Sequence, residues 1–247
     1  MPRRLGQHFL SNSTILERIA RAACPEPVDL VVEIGPGKGS LTQHLLKHAS
    51  RVVAIEIDTI LVHYLQQKFK DEPRLTIISQ DVLKADLSAW GPATIAGNLP
   101  YYITSPILDK VFAAGDSWKR AAFLVQKEVA ERITAQPGSR DYGFLSVQTQ
   151  SNASAKILFS VGRGAFSPPP KVESAVLALD RIAPPVEDLA AFLRFASTAF
   201  RHKRKTLRNN LIERYTREQL DVLDIGSKRA EQLSIPELAG IWRRLTP

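Results

Sequence analysis

The sequence lacks the residues that several classes of protein require. Its 247 residues include one cysteine, Cys24, which excludes an intramolecular disulfide and a metal site built from several thiolates. Low cysteine usage is typical of a reducing compartment, so we expect a cytoplasmic protein. The basic N-terminus has no apolar run like that of a signal peptide, and glycines and prolines interrupt the uncharged segment 87–108. We therefore expect neither a membrane partner nor a metal cofactor.

The chain carries more basic than acidic residues. There are 33 Lys and Arg against 25 Asp and Glu, which gives a formal net charge of +8. With 44% hydrophobic residues, the chain can still bury a large core. The positive charge favours a polyanionic partner, most often a nucleic acid, although a generically soluble basic protein has the same composition.

Short apolar runs alternate with amphipathic segments, a pattern typical of a parallel α/β sheet. Five strands are predicted at residues 30–34, 52–56, 75–78, 94–96 and 121–126. Helices are predicted at residues 11–23, 39–48, 59–70 and 105–114. Two later strands, one interrupted within 146–160 and one at 174–179, have no long helix between them and are expected to be antiparallel. We predict a doubly wound, Rossmann-like sheet of seven mostly parallel strands.

A change of pattern near residue 184 predicts a second domain. Five short helices are predicted beyond it, at residues 189–200, 206–215, 217–223, 227–232 and 235–245. Residues 184–247 carry 12 Lys and Arg against 8 acids, half of the net charge of the chain. The segment 201–208 alone contains five of these basic residues. We predict an α/β domain at 1–183 and a small basic helical domain at 184–247, in which 201–208 is either a phosphate-contacting run or a solvated helix face.

A glycine-rich turn follows the first predicted strand. Glu33 precedes Gly35, Gly37 and Gly39 in the order E-x-G-x-G-x-G, between a strand and a helix. Glycines in such a turn allow a sharp bend and the close approach of a ligand to the backbone. The third glycine comes one residue too early for the dinucleotide fingerprint G-x-G-x-x-G, which disfavours a nicotinamide cofactor. The spacing is similar to the first motif of S-adenosylmethionine-dependent methyltransferases.

Acidic residues follow the next two predicted strands. Glu56 ends the second strand, where its carboxylate can accept hydrogen bonds from both ribose hydroxyls of an adenosine ligand, and Asp58 competes for this role. Asp81 follows the third strand and is suitably placed to bind an adenine amino group. Each acid alone would be an ordinary surface residue. Together with the glycine turn, these positions in order at three strand ends indicate a nucleoside ligand.

The segment after the fourth predicted strand has the composition of a base-binding turn. Asn98, Leu99, Pro100 and Tyr101 follow Gly97. The exocyclic amine of adenine is a poor nucleophile because its lone pair is delocalised into the ring. A side-chain amide oxygen and a backbone carbonyl can accept its two N–H bonds, proline makes the turn rigid, and an aromatic ring stacks on the base. A plain turn is the competing interpretation, because Asn and Pro are common turn residues.

A second aromatic residue, Phe166, precedes three consecutive prolines between two predicted strands. Proline-rich segments are usually linkers or ligands of aromatic grooves. Here we expect a rigid loop with Phe166 at its tip. A base flipped out of an RNA loop could then lie between Tyr101 and Phe166.

Six ordered motifs together resemble the small-subunit ribosomal RNA adenine dimethyltransferases, the bacterial kasugamycin-resistance family, over essentially the whole chain. The matching segments are LGQHFL at 5–10, VEIGPG at 32–37, IEID at 55–58, QD at 80–81, GNLPY at 97–101 and FSPPPKVES at 166–174. The glycine motif alone is shared with all methyltransferases. One departure is His8, where the family usually has Asn.

The resemblance implies a fold, a reaction and a set of site residues. It implies an S-adenosylmethionine site lined by His8, Leu10, Gly35, Gly37, Glu56, Asp81 and Asn98. It implies that the methyl groups go to N6 of two adjacent adenosines in the loop of the 3′-terminal hairpin of 16S rRNA. The base pocket is assigned to residues 98–101 and Phe166. The partner is the small ribosomal subunit or its precursor, and we expect the protein to be a monomer.

Two other functions compete with this one. The large-subunit RNA methyltransferases that confer macrolide resistance share the core chemistry, but resemble this chain less in the C-terminal motif and the domain after it. A non-catalytic RNA-binding assembly or transcription factor is disfavoured by the intact residues 98–101. The i, i+4 pair His44 and His48 lacks the Glu of zinc proteases, and we expect both side chains to be solvated.

Overall fold

Seven strands form the main sheet of the structure, a computed structural model that describes residues 8–223 and 225–246. In chain order the strands of the structure are β1 (Phe9–Leu10), β2 (Val28–Ile34), β3 (Ala49–Glu56), β4 (Leu75–Ser79), β5 (Ala93–Asn98), β6 (Trp118–Gln126), β7 (Ala153–Val161), β8 (Phe166–Ser167) and β9 (Ser174–Arg181). The main sheet has the order β4-β3-β2-β5-β6-β9-β7, while β1 and β8 form a separate antiparallel ribbon.

The strand pairings place the expected ligand edge at the middle of this sheet. β2 pairs in parallel with both β3 and β5, so the strand order reverses beside β2. β4 and β6 extend the parallel part, and β9 pairs antiparallel with β6. The predicted doubly wound sheet with an antiparallel strand is confirmed. In open α/β sheets ligands bind outside the carboxyl ends of the strands at such a reversal.

Helices connect the strands of this first part. They are α1 (Ser13–Ala23), α2 (Thr42–Leu45), α3 (Thr59–Lys68), α4 (Thr104–Ala113) and α5 (Lys127–Thr134). Side-chain caps fix where two of them begin: Asn12 accepts a hydrogen bond from the Ile15 amide, and Asp58 accepts hydrogen bonds from the amides of Ile60 and Leu61.

The chain divides into two compact units. The first contains the described residues up to Ala130 together with Lys156–Arg181, and the second contains Glu131–Ala155 and the described residues from Ile182 onward. The helices of the second unit are α6 (Phe144–Gln150), α7 (Leu189–Ala199), α8 (Leu207–Leu211), α9 (Arg217–Asp221) and α10 (Ile235–Leu245). They share a core that includes Phe192, Phe195, Leu211 and Leu238. The predicted domain boundary at 183/184 stays a prediction. Residues 131–155 fall in the same compact unit as the C-terminal helices.

Two local predictions were wrong. The first part of the expected strand 146–160 is helical, because Ser146 accepts a hydrogen bond from the Gly143 amide and starts α6, so the strand begins only at Ala153. The helix predicted at 39–48 is reduced to the four residues of α2. Within the described ranges, no helix is long and apolar enough to cross a membrane.

The expectation of solvated histidines was also wrong. His44 is buried and its Nδ1 lies 2.9 Å from Glu17 Oε2, while His48 Nε2 lies 2.9 Å from Glu17 Oε1. Hydrogen bonds from His44, His48 and Arg21 lower the pKa of Glu17 to about 2. Through these hydrogen bonds to Glu17, the two histidines link the segment that contains α2 to helix α1.

The close approach of β5 to β2 generates a stability prediction. A Cβ atom at Gly97 would lie 2.5 Å from the Ile34 carbonyl oxygen. This oxygen belongs to the backbone of β2, so it can move away only if the strand shifts. We expect Gly97→Ala to lower the free energy of unfolding by about 1–3 kcal/mol, measured by urea denaturation. Gly162→Ala is the matched control, because a Cβ atom there meets nothing within 4 Å. Equal stability of the two variants would contradict the packing described here.

Candidate active site

A cleft opens at the carboxyl edge of the sheet, beside the ends of β2, β3 and β5. Ten of the predicted site residues line it: His8, Leu10, Gly35, Gly37, Glu56, Asp81, Asn98, Leu99, Pro100 and Tyr101. Glu33, Ile57, Tyr102 and Ile107 line it as well. The topology thus gathers residues that lie far apart in the sequence.

The glycine turn exposes its backbone to this cleft. Gly35 and Gly37 have φ angles of 65° and 58°, in the left-handed region that L side chains rarely adopt. This conformation directs the Gly37 amide to Glu56, whose Oε2 accepts its hydrogen bond at 3.0 Å. The turn and the end of β3 are therefore joined by the carboxylate itself.

Glu56 is almost fully buried, at 3% exposed, and backbone amides hold its side chain in place. Besides the Gly37 amide, the amides of Ile57 and Asp58 donate to Glu56 Oε1 at 2.9 and 3.0 Å. Two carboxylate oxygens offer about four acceptor sites, so about one site remains for a ligand hydroxyl. The competing acid, Asp58, instead caps α3. The structure thus separates the two acids that the sequence left as alternatives.

Glu33 is the second buried acid beside the turn. It is 1% exposed, and the Thr42 hydroxyl donates a 2.6 Å hydrogen bond to its Oε2. Burial raises the pKa of Glu33 to about 8; the Thr42 bond opposes this rise, and the nearby charge of Glu56 adds to it. Glu33 is consequently a neutral acid at pH 7, able to donate as well as accept.

Asp81 presents one oxygen to its own loop. Its Oδ1 accepts a 2.9 Å hydrogen bond from the Leu83 amide, which fixes the side chain after β4. The other oxygen, Oδ2, has no partner in the part of the chain that the structure describes. It is therefore available to a hydrogen-bond donor in the cleft.

Asn98 is oriented by the N-terminal segment. Its Nδ2 donates to the His8 carbonyl oxygen at 3.1 Å, across 90 positions of sequence. Because that carbonyl can only accept, the bond directs the Asn98 oxygen away from it. Asn98 lines the cleft, and this orientation leaves its oxygen to accept a hydrogen bond, as binding of an amine requires.

The rings of His8 and Tyr101 support the same turn. His8 Nδ1 lies 2.8 Å from the Pro168 carbonyl oxygen and so carries the proton of that bond. The His8 ring stacks beside Tyr101 with centroids 6.0 Å apart. The Tyr101 hydroxyl is 2.7 Å from the hydroxyl oxygen of buried Ser174, and burial raises the pKa of Tyr101. Sequence reasoning assigned no such role to Ser174, because the pairing joins the turn after β5 to the start of β9, far away in the sequence.

Phe166 does not lie at an exposed loop tip, and that expectation was wrong. Its side chain is 4% exposed and packs in the core with Leu10, Leu16 and Val161. Pairing of β8 with β1 brings this apolar side chain under the N-terminal segment. Of the described tyrosines, Tyr101 and Tyr102 line the cleft. Stacking of Phe166 on a base stays a prediction. Residues 5–7 of the N-terminal motif lie outside the described residues.

Comparisons with known proteins identify the family to which this chain belongs. Residues 2–243 match the family model described as ribosomal RNA adenine dimethylase. The chain belongs to this family. The ribosomal RNA small subunit methyltransferase A of Thermotoga maritima is 43% identical over 99% of this chain and 86% of its own length. The resemblance drawn from the motifs is confirmed, and the chain is an S-adenosylmethionine-dependent rRNA adenine dimethyltransferase.

Two solved structures agree with the fold. A dimethyladenosine transferase from Plasmodium falciparum is 26% identical, with a TM-score of 0.82 over 95% of this chain and 96% of that chain. The 23S rRNA methyltransferase ErmE is 29% identical, with a TM-score of 0.75 over 97% of this chain and 100% of that chain. Both belong to the class of enzyme that the motifs indicate.

Some of the basic side chains in the segment 201–208 of the second unit have partners among the described residues, and others have none there. Arg201 pairs with Glu213, Arg208 Nη2 lies 2.5 Å from Asp221 Oδ1, and Lys203 donates to a backbone carbonyl. By contrast, the exposed side chains of Arg204 and Lys205 make no ion pair or hydrogen bond with any described residue. Asn210 holds this loop by hydrogen bonds to the amide and carbonyl of His202, at 3.0 and 3.2 Å.

The raised pKa of Glu33 predicts a pH-dependent stability. Because the native state retains a proton that the unfolded chain loses above its ordinary pKa of 4.5, stability falls as pH rises from there to about 8. We expect Glu33→Gln, which cannot ionise, to remove up to about 1.4 kcal/mol of this loss per pH unit. Thermal unfolding of both proteins at pH 5.5, 7 and 8.5 measures the difference. A constant difference across this range would show that Glu33 does not titrate as described.

Proposed function

We propose that this protein is a cytoplasmic monomer that methylates N6 of two adjacent adenosines in the 3′-terminal hairpin loop of 16S rRNA. The observation that carries the proposal is the Asn98 amide, which lines the cleft and donates to the His8 carbonyl, so that its oxygen is left to accept a hydrogen bond. The name of the Thermotoga maritima relative supports the small subunit as substrate. Methylation of this loop would belong to the maturation of that subunit.

The cleft fits S-adenosylmethionine by the chemistry of its donors and acceptors. Glu56 is fixed by three backbone amides and retains about one acceptor site for a ribose hydroxyl. Asp81 Oδ2 is available for an adenine amino group, and the backbone of Gly35 and Gly37 allows close contact. When bound, the cofactor supplies a methyl group on a positively charged sulfur. Within the described residues, no three His, Cys, Asp or Glu side chains form a group that could hold a metal ion.

The turn after β5 holds the target amine. The Asn98 oxygen accepts one N–H of the adenine amine, and a backbone carbonyl of residues 98–100 accepts the other. This geometry turns the nitrogen lone pair out of conjugation with the ring and toward the methyl group. Tyr101, anchored on Ser174, stacks on the base. These contacts strengthen as the nitrogen gains positive charge, so they act mainly in the transition state.

Replacement of Glu56 tests the cofactor site. We expect Glu56→Gln to weaken S-adenosylmethionine binding by roughly 1–1.5 kcal/mol, because a charge-assisted hydrogen bond to the ribose becomes a neutral one. Isothermal titration calorimetry measures the affinity. The matched control is Asp58→Asn, two residues away at the cap of α3, which should bind the cofactor as the wild type does. Unchanged affinity of Glu56→Gln would reject its assigned role.

Replacement of Asn98 tests the reaction. We expect Asn98→Ala to keep most cofactor affinity and to lose most of its turnover, since the amide acts on the transition state. Undermethylated small subunits are incubated with labelled S-adenosylmethionine, and the modified bases are mapped. An Asn98→Ala variant that is as active as the wild type would reject the base pocket.

The same assay separates the alternative functions. Large subunits are offered in parallel, since ErmE is described as acting on 23S rRNA. Methylation of large subunits alone would replace the proposal by that specificity. Cofactor binding without methylation of either subunit would favour a non-catalytic RNA-binding protein.

The free cations of the second unit predict a contact with RNA phosphates. We expect the double variant Arg204→Gln with Lys205→Gln to bind the small subunit more weakly, without a change in which adenosines are modified. The salt dependence of log K should flatten by roughly 1.4–1.8, since two phosphate contacts are lost. Filter binding at several salt concentrations measures both quantities.

A control for net charge is available in the first unit. Arg51 and Lys119 are also exposed, and their double replacement by Gln removes the same charge from the α/β unit. If both double variants show the same salt slope, the effect is one of total charge and the run at 201–208 is a solvated surface.

A further inference from the structure

Tyr102 is an exposed aromatic residue at the edge of the cleft. It lines the cleft together with Tyr101, yet 63% of its surface is exposed. Tyr101 is half-buried and anchored by Ser174. The target-base pocket described above uses Tyr101 and leaves Tyr102 without a role.

The backbone that carries Tyr102 is rigid. Residues Tyr101–Ile103 form one 3-10 turn that continues directly into α4, and the Ile103 amide donates to the Pro100 carbonyl at 3.1 Å. Pro100 fixes the entry to this turn with φ at −61°. An aromatic ring on a fixed backbone loses little conformational entropy when another group stacks on it.

The two tyrosines face different directions. Because a 3-10 helix has three residues per turn, successive side chains point about 120° apart. The bond to Ser174 fixes the direction of Tyr101, so the ring of Tyr102 points away from it and into solvent. Tyr101 is placed for a base inside the cleft, and Tyr102 for a group at its mouth.

Extrusion of one base into the cleft uncovers a second base. When an adenosine leaves a stacked loop, its neighbour loses a stacking partner as well, and this loss is part of the cost of flipping. We propose that Tyr102 forms a second nucleobase subsite, on which the base next to the adenosine in the cleft stacks. The proposal rests on the proposed function, since it requires a single-stranded RNA substrate.

Such a subsite contributes affinity with little base identity, because every nucleobase has a stacking face. The subsite is compatible with a reaction on two adjacent adenosines. With either adenosine in the cleft, the base that follows on the side of Tyr102 can stack on the same ring. The subsite thus lowers the cost of flipping for both methylation events.

Variants of Tyr102 test the subsite with undermethylated small subunits. We expect Tyr102→Ala and Tyr102→Leu to raise the KM for subunits about tenfold, while the affinity for S-adenosylmethionine stays unchanged. Tyr102→Phe should recover most of the loss, because it keeps the ring and loses only the hydroxyl. The control is Tyr64→Ala on α3, which removes a 47% exposed tyrosine that is not among the described cleft residues.

A double-mutant cycle tests the contact itself. In reconstituted subunits the adenosine beside the target is replaced by uridine, which stacks weakly. With wild-type enzyme this replacement should raise the KM, and with Tyr102→Ala it should have little further effect, because the stacking is already lost. Additive effects would overturn the proposal, as would a KM for Tyr102→Leu equal to that of Tyr102→Phe.

Failure of the proposed function would look different. Wild-type protein that binds S-adenosylmethionine but methylates no small subunit would reject the function itself. Wild-type methylation with an unchanged KM for Tyr102→Ala would reject the subsite alone and leave the function standing.

Discussion

The hydrogen bond between the Asn98 amide and the His8 carbonyl sets the chemistry of the cleft. A side-chain amide has an acceptor on one side and two donors on the other, and a half-turn about its last bond exchanges them. An amine substrate needs the acceptor. The His8 carbonyl, at 3.1 Å from Nδ2, takes up a donor and so leaves the oxygen for the substrate. The orientation of a single amide therefore depends on where the N-terminal segment lies.

Several weaker contacts hold that segment in place. The β1–β8 ribbon has only two residues in each strand, too few to be stable alone. Burial of Leu10 and Phe166 in the core, and the bond from His8 to the Pro168 carbonyl, supply the missing stabilisation. The burial of Phe166 thus has a structural consequence: it anchors β8, which positions β1 and, through it, the carbonyl that orients Asn98.

Sequence patterns predicted the elements that depend on local periodicity. The strands of the α/β unit and the order of the motifs at their ends follow from apolar runs and the turns between them. Two errors are local, the shortened α2 and the helical start of the segment 146–160. The other errors concern contacts made between distant residues. His44 is buried because Glu17, on another helix, accepts its hydrogen bond, and Phe166 is buried because β1 pairs with β8. The residues next to His44 and Phe166 in the sequence do not reveal these partners. The i, i+4 spacing of His44 and the prolines after Phe166 instead suggest exposed side chains.

The two buried acids of the cleft show the same dependence on environment. Glu33 and Glu56 both stand near the ends of neighbouring strands, and their sequence contexts give no reason to treat them differently. Three backbone amides donate to Glu56, whereas the buried Glu33 carboxyl accepts a hydrogen bond from the Thr42 hydroxyl. Burial is the main cause of the raised pKa of Glu33, and the nearby charge of Glu56 adds to it. Burial thus leaves Glu33 a neutral acid at pH 7, whereas backbone donors hold the Glu56 side chain as an acceptor for a ligand beside the glycine turn.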